Sequence, residues 1–165
     1  MPTKAQCHKW KLSVRNVLED PHGLKRFQTF LIKHEEECGE TEGEFIRYTY
    51  FWTECQNFKK LKSPNQRESA SKIYNTYLNS QAEKKIVISG SDEIVPKVKE
   101  TVFSDKNNSS ENQKVNPSDN ISSVFNVVEA GMLEHISKGG CCQAYKEFCN
   151  ELKPDKRTKF QCRLM

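Results

Sequence analysis

The stretch YFWTECQNFKKL, residues 50–61, constrains the fold more than any other part of this chain. Phe51, Trp52, Cys55, Phe58 and Leu61 recur at three- and four-residue spacing, the signature of a helix with one apolar face. The same period returns at Leu24, Phe27, Phe30 and Leu31 in LKRFQTFLIKHEEE, and at Ala70, Ile73, Tyr74, Tyr77 and Leu78 in residues 66–81. It appears again from Val124 to Ile136, and at Tyr145, Phe148, Cys149 and Leu152 in CCQAYKEFCNEL, residues 141–152. Leu12, Val14, Val17 and Leu18 predict a short helix after Trp10. Turn signals separate these runs: DPHG at 20–23, CGETEG at 38–43, SPN at 63–65 and Gly139-Gly140. Ile86-Val87-Ile88 has no visible partner strand and reads as an extended connector that packs apolar side chains. Residues 92–103 read as a short helix, with Pro96 tolerated in its first turn. The expected fold is all-α, with about eight helices and one long inserted loop.

A chain of 165 residues suits one domain with a full core. The domain is expected over residues 10–152, with 1–9 and 153–165 as flanking tails. Within it, SDKNNSSENQKVNPSDN, residues 104–120, is almost free of apolar residues and reads as an exposed insertion. Charged residues make up 29% and hydrophobic ones 35%, and no run of 18 apolar residues exists, so no membrane span is expected. The start, MPTKAQCHKW, has no apolar h-region, so no secretory signal is expected in it. The net charge of +4 is spread among mixed lysines and glutamates. Nucleic-acid binding wants a concentrated basic face, and none is visible. The most basic run, KPDKRTKF at 153–160, reads as a solvated linker.

Seven cysteines, an odd number without a secretory signal, predict reduced thiols and a cytoplasmic protein. Adjacent Cys141 and Cys142, with His135 upstream, make a poor tetrahedral set, so no metal and no cofactor are expected. Cys55 and Cys149 read as soft packing residues. The sequons at Asn107, Asn108 and Asn120 carry no meaning in that compartment. There is no phosphate-binding glycine loop and no nucleophile elbow. Glu35, Glu36 and Glu37 end a helix and are expected to face water, while His135 is expected half-buried rather than acting as a base. The reading is a binding module with no catalytic residues, not an enzyme.

Several blocks in register carry a family resemblance. Trp10, VLEDPHGLKRFQTFL, FWTECQNFKKL and ASKIYNTYL resemble the signature of the RGS (regulator of G-protein signalling) homology domain. Asp20, Gly23, Phe27, Phe30, Leu31, Phe51, Trp52, Cys55, Phe58, Ala70, Ile73, Tyr74 and Tyr77 match in order. The match covers roughly residues 10–103 and continues, more weakly, from Ser123 to Leu152. The resemblance implies a nine-helix bundle. It also implies acceleration of GTP hydrolysis by Gα subunits, achieved by holding the partner's switch loops rather than by chemistry of the domain's own. The family uses an asparagine four residues before the tryptophan of its F-W block, and Tyr48 stands there, preceded by Arg47 where an acid is usual. A second asparagine is absent, since residues 81–106 contain none. An expected D-x-x-x-R pair is absent too, since Asn120 to Pro154 contain neither residue type. These departures argue against the Gα activity.

Within the family, LEDPHGLKRFQTFL and the F-W-x-x-C block resemble the axin subgroup. That implies a scaffold domain of an axin-like negative regulator of Wnt/β-catenin signalling, binding an APC-type peptide on its third and fourth helices. Arg26, Thr29, Lys33, Gln56, Lys59 and Lys60 would line that contact. The alternatives are a GTPase-activating regulator of Gα with a remodelled interface, and a domain that binds neither partner.

Overall fold

The computed structural model describes residues 1–39, 43–103, 121–139 and 142–154. Among these, eight α-helices and no strand form one bundle around one core. The expected insertion at 104–120 and most of the basic tail lie outside the described residues.

Helix α1, Lys4–Leu12, starts ahead of the residue-10 boundary expected for the domain. A capping box fixes it: the Thr3 hydroxyl accepts from Gln6 N, and Gln6 Oε1 accepts from Thr3 N. Its Cys7 and Trp10 are buried. Helix α2, Val14–Glu19, is capped by Ser13 and runs directly into α3, Pro21–Cys38. Asp20 joins the two. Its Oδ1 accepts from His22 N at 3.0 Å and Gly23 N at 3.4 Å, while its Oδ2 accepts from Trp10 Nε1 at 3.0 Å. Partial burial pushes its pKa up, but these bonds outweigh that and hold it below the ordinary carboxylate value. Gly23 is required here for space: a Cβ would lie 2.7 Å from Val17 O and 2.9 Å from Trp10 Nε1.

Helix α4, Ile46–Lys59, is the aromatic helix and buries Phe51, Trp52, Cys55 and Phe58. Helix α5 spans Ser63–Ile73 with Pro64 in its first turn, so SPN opens a helix as well as separating two. A π-helical turn, Tyr74–Leu78, continues α5 and buries Tyr74, Tyr77 and Leu78. Residues 85–88 then form a strap, with Ile86 and Ile88 buried and Val87 exposed. Helix α6, Ser91–Phe103, contains Pro96 beyond the first turn, further in than expected. A short 3-10 turn, Ile121–Ser123, leads to α7, Asn126–Lys138, and α8, Cys142–Glu151, follows.

The core is an aromatic cluster. Phe125 meets Phe51 and Phe58 edge-on, with centroids 6.3 and 5.2 Å apart, and Phe51 meets Tyr77 at 5.4 Å. Phe27 and Phe30 of α3 pack on Phe148 of α8. The Tyr145 hydroxyl donates to Trp10 O at 2.8 Å, tying α8 to α1. Cys149 is only half-buried, unlike Cys55.

Glu35 does not face water as expected. It is 5% exposed, and its carboxylate accepts from the backbone N–H groups of Gly43, Phe45 and Ile46 at 3.0, 2.5 and 3.1 Å. Phe45 cannot cap α4 with its own side chain, so Glu35 supplies the anion that the helix start favours.

Candidate functional site

The position where an asparagine is expected lies in the first turn of α4. Tyr48 there is buried, and its ring stacks on His135 of α7 with centroids 5.4 Å apart. Its hydroxyl accepts from Val87 N at 3.0 Å and donates to Val87 O at 3.1 Å. Arg47 grips the same strap, donating from Nη1 to Lys85 O at 3.0 Å and from Nε to Gly43 O at 2.8 Å. Ile86 N donates to Tyr77 O from the far side. The two residues that depart from the family pattern thus pin the strap to α4.

This arrangement sets Arg47 and Tyr50 on one side of α4 beside the strap, with Tyr48 buried beneath the strap and stacked on His135 near the end of α7. Burial holds the His135 pKa below its ordinary value. Gly139 follows without a side chain, where a Cβ would lie 2.7 Å from His135 Nδ1. A tyrosine hydroxyl bonded twice to backbone has little capacity left for a further hydrogen bond, so Tyr48 holds the strap in place. Among the described residues the site holds no catalytic nucleophile–base pair.

The six residues expected to line a peptide contact do not form one site. Arg26, Thr29 and Lys33 on α3 line a groove of about 740 Å³ with Trp10, Phe148 and Leu152. The Thr29 hydroxyl donates to Lys25 O, and Lys33 pairs loosely with Glu37 at 3.6 Å. Gln56 and Lys59 instead turn toward α7, donating to the two oxygens of Glu129 at 3.0 and 2.7 Å. Glu129 is 5% exposed, so these two side chains satisfy a buried carboxylate. Lys60 is exposed just beyond α4. Glu129 gave no signal in the sequence, where it reads as one more acid on an amphipathic helix. Tyr50, Lys84 and Lys85 likewise carry no distinguishing signal in the sequence.

The comparisons with known proteins agree with the fold. The family model described as regulator of G protein signaling domain matches residues 13–153. Regulator of G-protein signaling 10 of Homo sapiens is 37% identical over 93 residues, covering 56% of this chain and 46% of the relative. The same-named protein of Mus musculus is 34% identical over 93 residues, again 56% and 46%. Regulator of G-protein signaling 5 of Sus scrofa is 33% identical over 88 residues, covering 53% and 44%. The chain spans about half the length of the curated relatives it matches.

These relatives overturn the axin-like reading and, with it, the APC-binding Wnt scaffold. The physical reason lies in the blocks that suggested it. Asp20 and Gly23 hold Trp10, Phe27 packs on α8, and Phe51, Cys55 and Phe58 fill the core. Such residues specify the bundle and carry no information about which partner it binds.

Proposed function

The chain belongs to the regulator of G protein signaling family, and from that premise we propose that it is a GTPase-activating regulator of heterotrimeric G-protein α subunits. The observation that supports this most is the family match over residues 13–153, a range that takes in α4, the strap and α7. The names of the relatives point the same way.

Such a regulator supplies position rather than chemistry. It binds the α subunit most tightly as the γ-phosphoryl is transferred, and so lowers the barrier by differential binding. A face with little left to order suits that task, because less ordering cost is set against the binding energy. Tyr48 and Arg47 hold the strap in place beforehand.

Single-turnover GTP hydrolysis by Gαi and by Gαq, with and without this chain, tests the reading. Acceleration of at least one subunit is expected, together with tighter binding to its GDP–aluminium fluoride form than to its GDP form. Unchanged hydrolysis with both, and no preference for the aluminium fluoride form, would refute it.

A further inference from the structure

The face built around Tyr48 carries an arrangement of charge that bears on which α subunit it fits. Arg47 and Tyr50 are three residues apart on α4 and share one side of the helix. Lys84 lies with its Nζ 5.9 Å from the centre of the Tyr50 ring. Lys85 is the residue whose carbonyl Arg47 grips. Lys84 therefore stands over a half-exposed aromatic ring, Arg47 lies on the same side of the helix, and exposed Lys85 and Val87 follow on the strap.

Among the described residues, none of the three has an ion-pair partner. Among the described residues the ion pairs are Arg15–Glu19, Lys33–Glu37, His34–Glu147, Lys59–Glu129 and Lys72–Glu68. Glu44 and Glu83 are exposed close by in sequence, yet neither is within ion-pair distance of Arg47, Lys84 or Lys85.

Arg47 is also prepared for a ligand. Its guanidinium has five N–H donors, and the two backbone carbonyls of Gly43 and Lys85 take two of them. Those two bonds fix the plane of the group and leave N–H donors on its terminal nitrogens for a carboxylate. Most of the side-chain entropy that a partner would have to remove is already gone. The resemblance places an acid at this position, so the arginine reverses the local charge.

We infer that Arg47, Lys84 and Lys85 select an α subunit that presents carboxylates to this face, with Tyr50 and Val87 covering the apolar surface beside them. The inference rests on the Gα reading above and deepens it by naming the chemistry of the partner surface. Charge of this kind speeds encounter and rejects partners with a basic surface at the same place. An anionic membrane is the competing occupant. A protein surface is favoured because Val87 and Tyr50 are isolated apolar contacts at the level of the cations, not a continuous apolar face for insertion.

The test is the association rate of the whole chain with each GDP–aluminium fluoride α subunit, measured across ionic strength. The variants are Lys84→Glu/Lys85→Glu, which leaves the ties made by Arg47 to backbone untouched, and Arg47→Gln. Lys4→Glu/Lys9→Glu on α1 changes the net charge by the same amount elsewhere. We expect the strap variant to slow association by about tenfold or more at low salt and to flatten its salt dependence. We expect the α1 variant to change it by much less. Wild-type binding that the strap variant and Arg47→Gln leave unaltered would overturn the inference while sparing the Gα reading. A wild-type chain that binds no α subunit overturns that reading, and the inference falls with it. Equal losses in the strap and α1 variants would reduce the effect to net charge, and so overturn the assignment. Phosphatidylserine vesicles that bind in a Lys84- and Lys85-dependent way, with α-subunit association unaffected, would assign the cations to a membrane instead.

Discussion

Replacing Glu35 by alanine removes the side chain that, among the described residues, caps the start of α4. Three backbone N–H groups lose their acceptor: those of Gly43, Phe45 and Ile46. Gly43 and Phe45 are partly exposed and regain water, so each costs about 0.5 kcal/mol as an ordinary exchanged bond. Ile46 is buried, and an unsatisfied N–H there costs about 2 kcal/mol. Losing the anion at the helix N-terminus adds about 0.5 kcal/mol. The sum is roughly 3 to 4 kcal/mol, enough to lower Tm by about 10 °C in a domain of this size. Glu35→Gln keeps one acceptor but turns an amide N–H₂ toward the donors, so a loss of about 2 kcal/mol is expected. Urea unfolding followed by circular dichroism measures both against Glu36→Ala, an exposed neighbour expected to fall within about 0.5 kcal/mol of wild type. If Glu35→Ala is no more destabilised than Glu36→Ala, at unchanged urea m-value, the capping argument is wrong.

Gly23→Ala forces a Cβ against Val17 O and the Trp10 ring, where backbone cannot yield cheaply; a loss of about 2 kcal/mol or more is expected in the same unfolding assay. Tyr48→Phe keeps the stack on His135 but releases both groups of Val87. It should cost about 1 kcal/mol, and hydrogen exchange should show faster exchange at the Val87 amide specifically. For His135, folding lowers a pKa whose ordinary value is 6.5. As pH falls through 6.5 the unfolded chain takes up a proton that the folded chain still refuses. Stability therefore declines from about that pH until the folded pKa is reached, by at most about 1.4 kcal/mol per pH unit. The difference between wild type and His135→Gln, followed from pH 7.5 to 5, isolates this contribution; a difference that stays flat with pH would contradict it.

The helices were legible wherever a wide apolar stripe repeats, as in Phe27–Leu31 and Phe51–Phe58, because burial of such a stripe is a local property of the sequence. The segment Lys4–Leu12 was not, because Cys7 and Trp10 alone mark its inner face. The π-helical turn at Tyr74–Leu78 shifts the hydrogen bond by a single residue and leaves the apolar spacing nearly unchanged. Glu35 and Glu129 were misread or missed because what buries them arrives from elsewhere: the returning chain at 43–46, and Gln56 with Lys59. At the candidate site, the departure of Tyr48 from the family pattern was visible. Its double bond to Val87, 39 residues away, was not. The family could be recognised because its signature residues are packing residues. The same fact misdirected the choice of subgroup.

Trp10 ties the beginning of the bundle to its end, through the hydrogen bond that its carbonyl accepts from Tyr145. Met1 and Pro2 line the same groove as Glu151 and Leu152. Anything fused to both ends of this bundle would therefore start from the same side of it. Two such modules would sense each other at high effective concentration, governed by their linkers and not by the width of the bundle. A donor–acceptor fluorophore pair attached at Thr3 and Lys153 would report loss of this closure, and with it the separation of α8 from α1, independently of whether the aromatic core has melted.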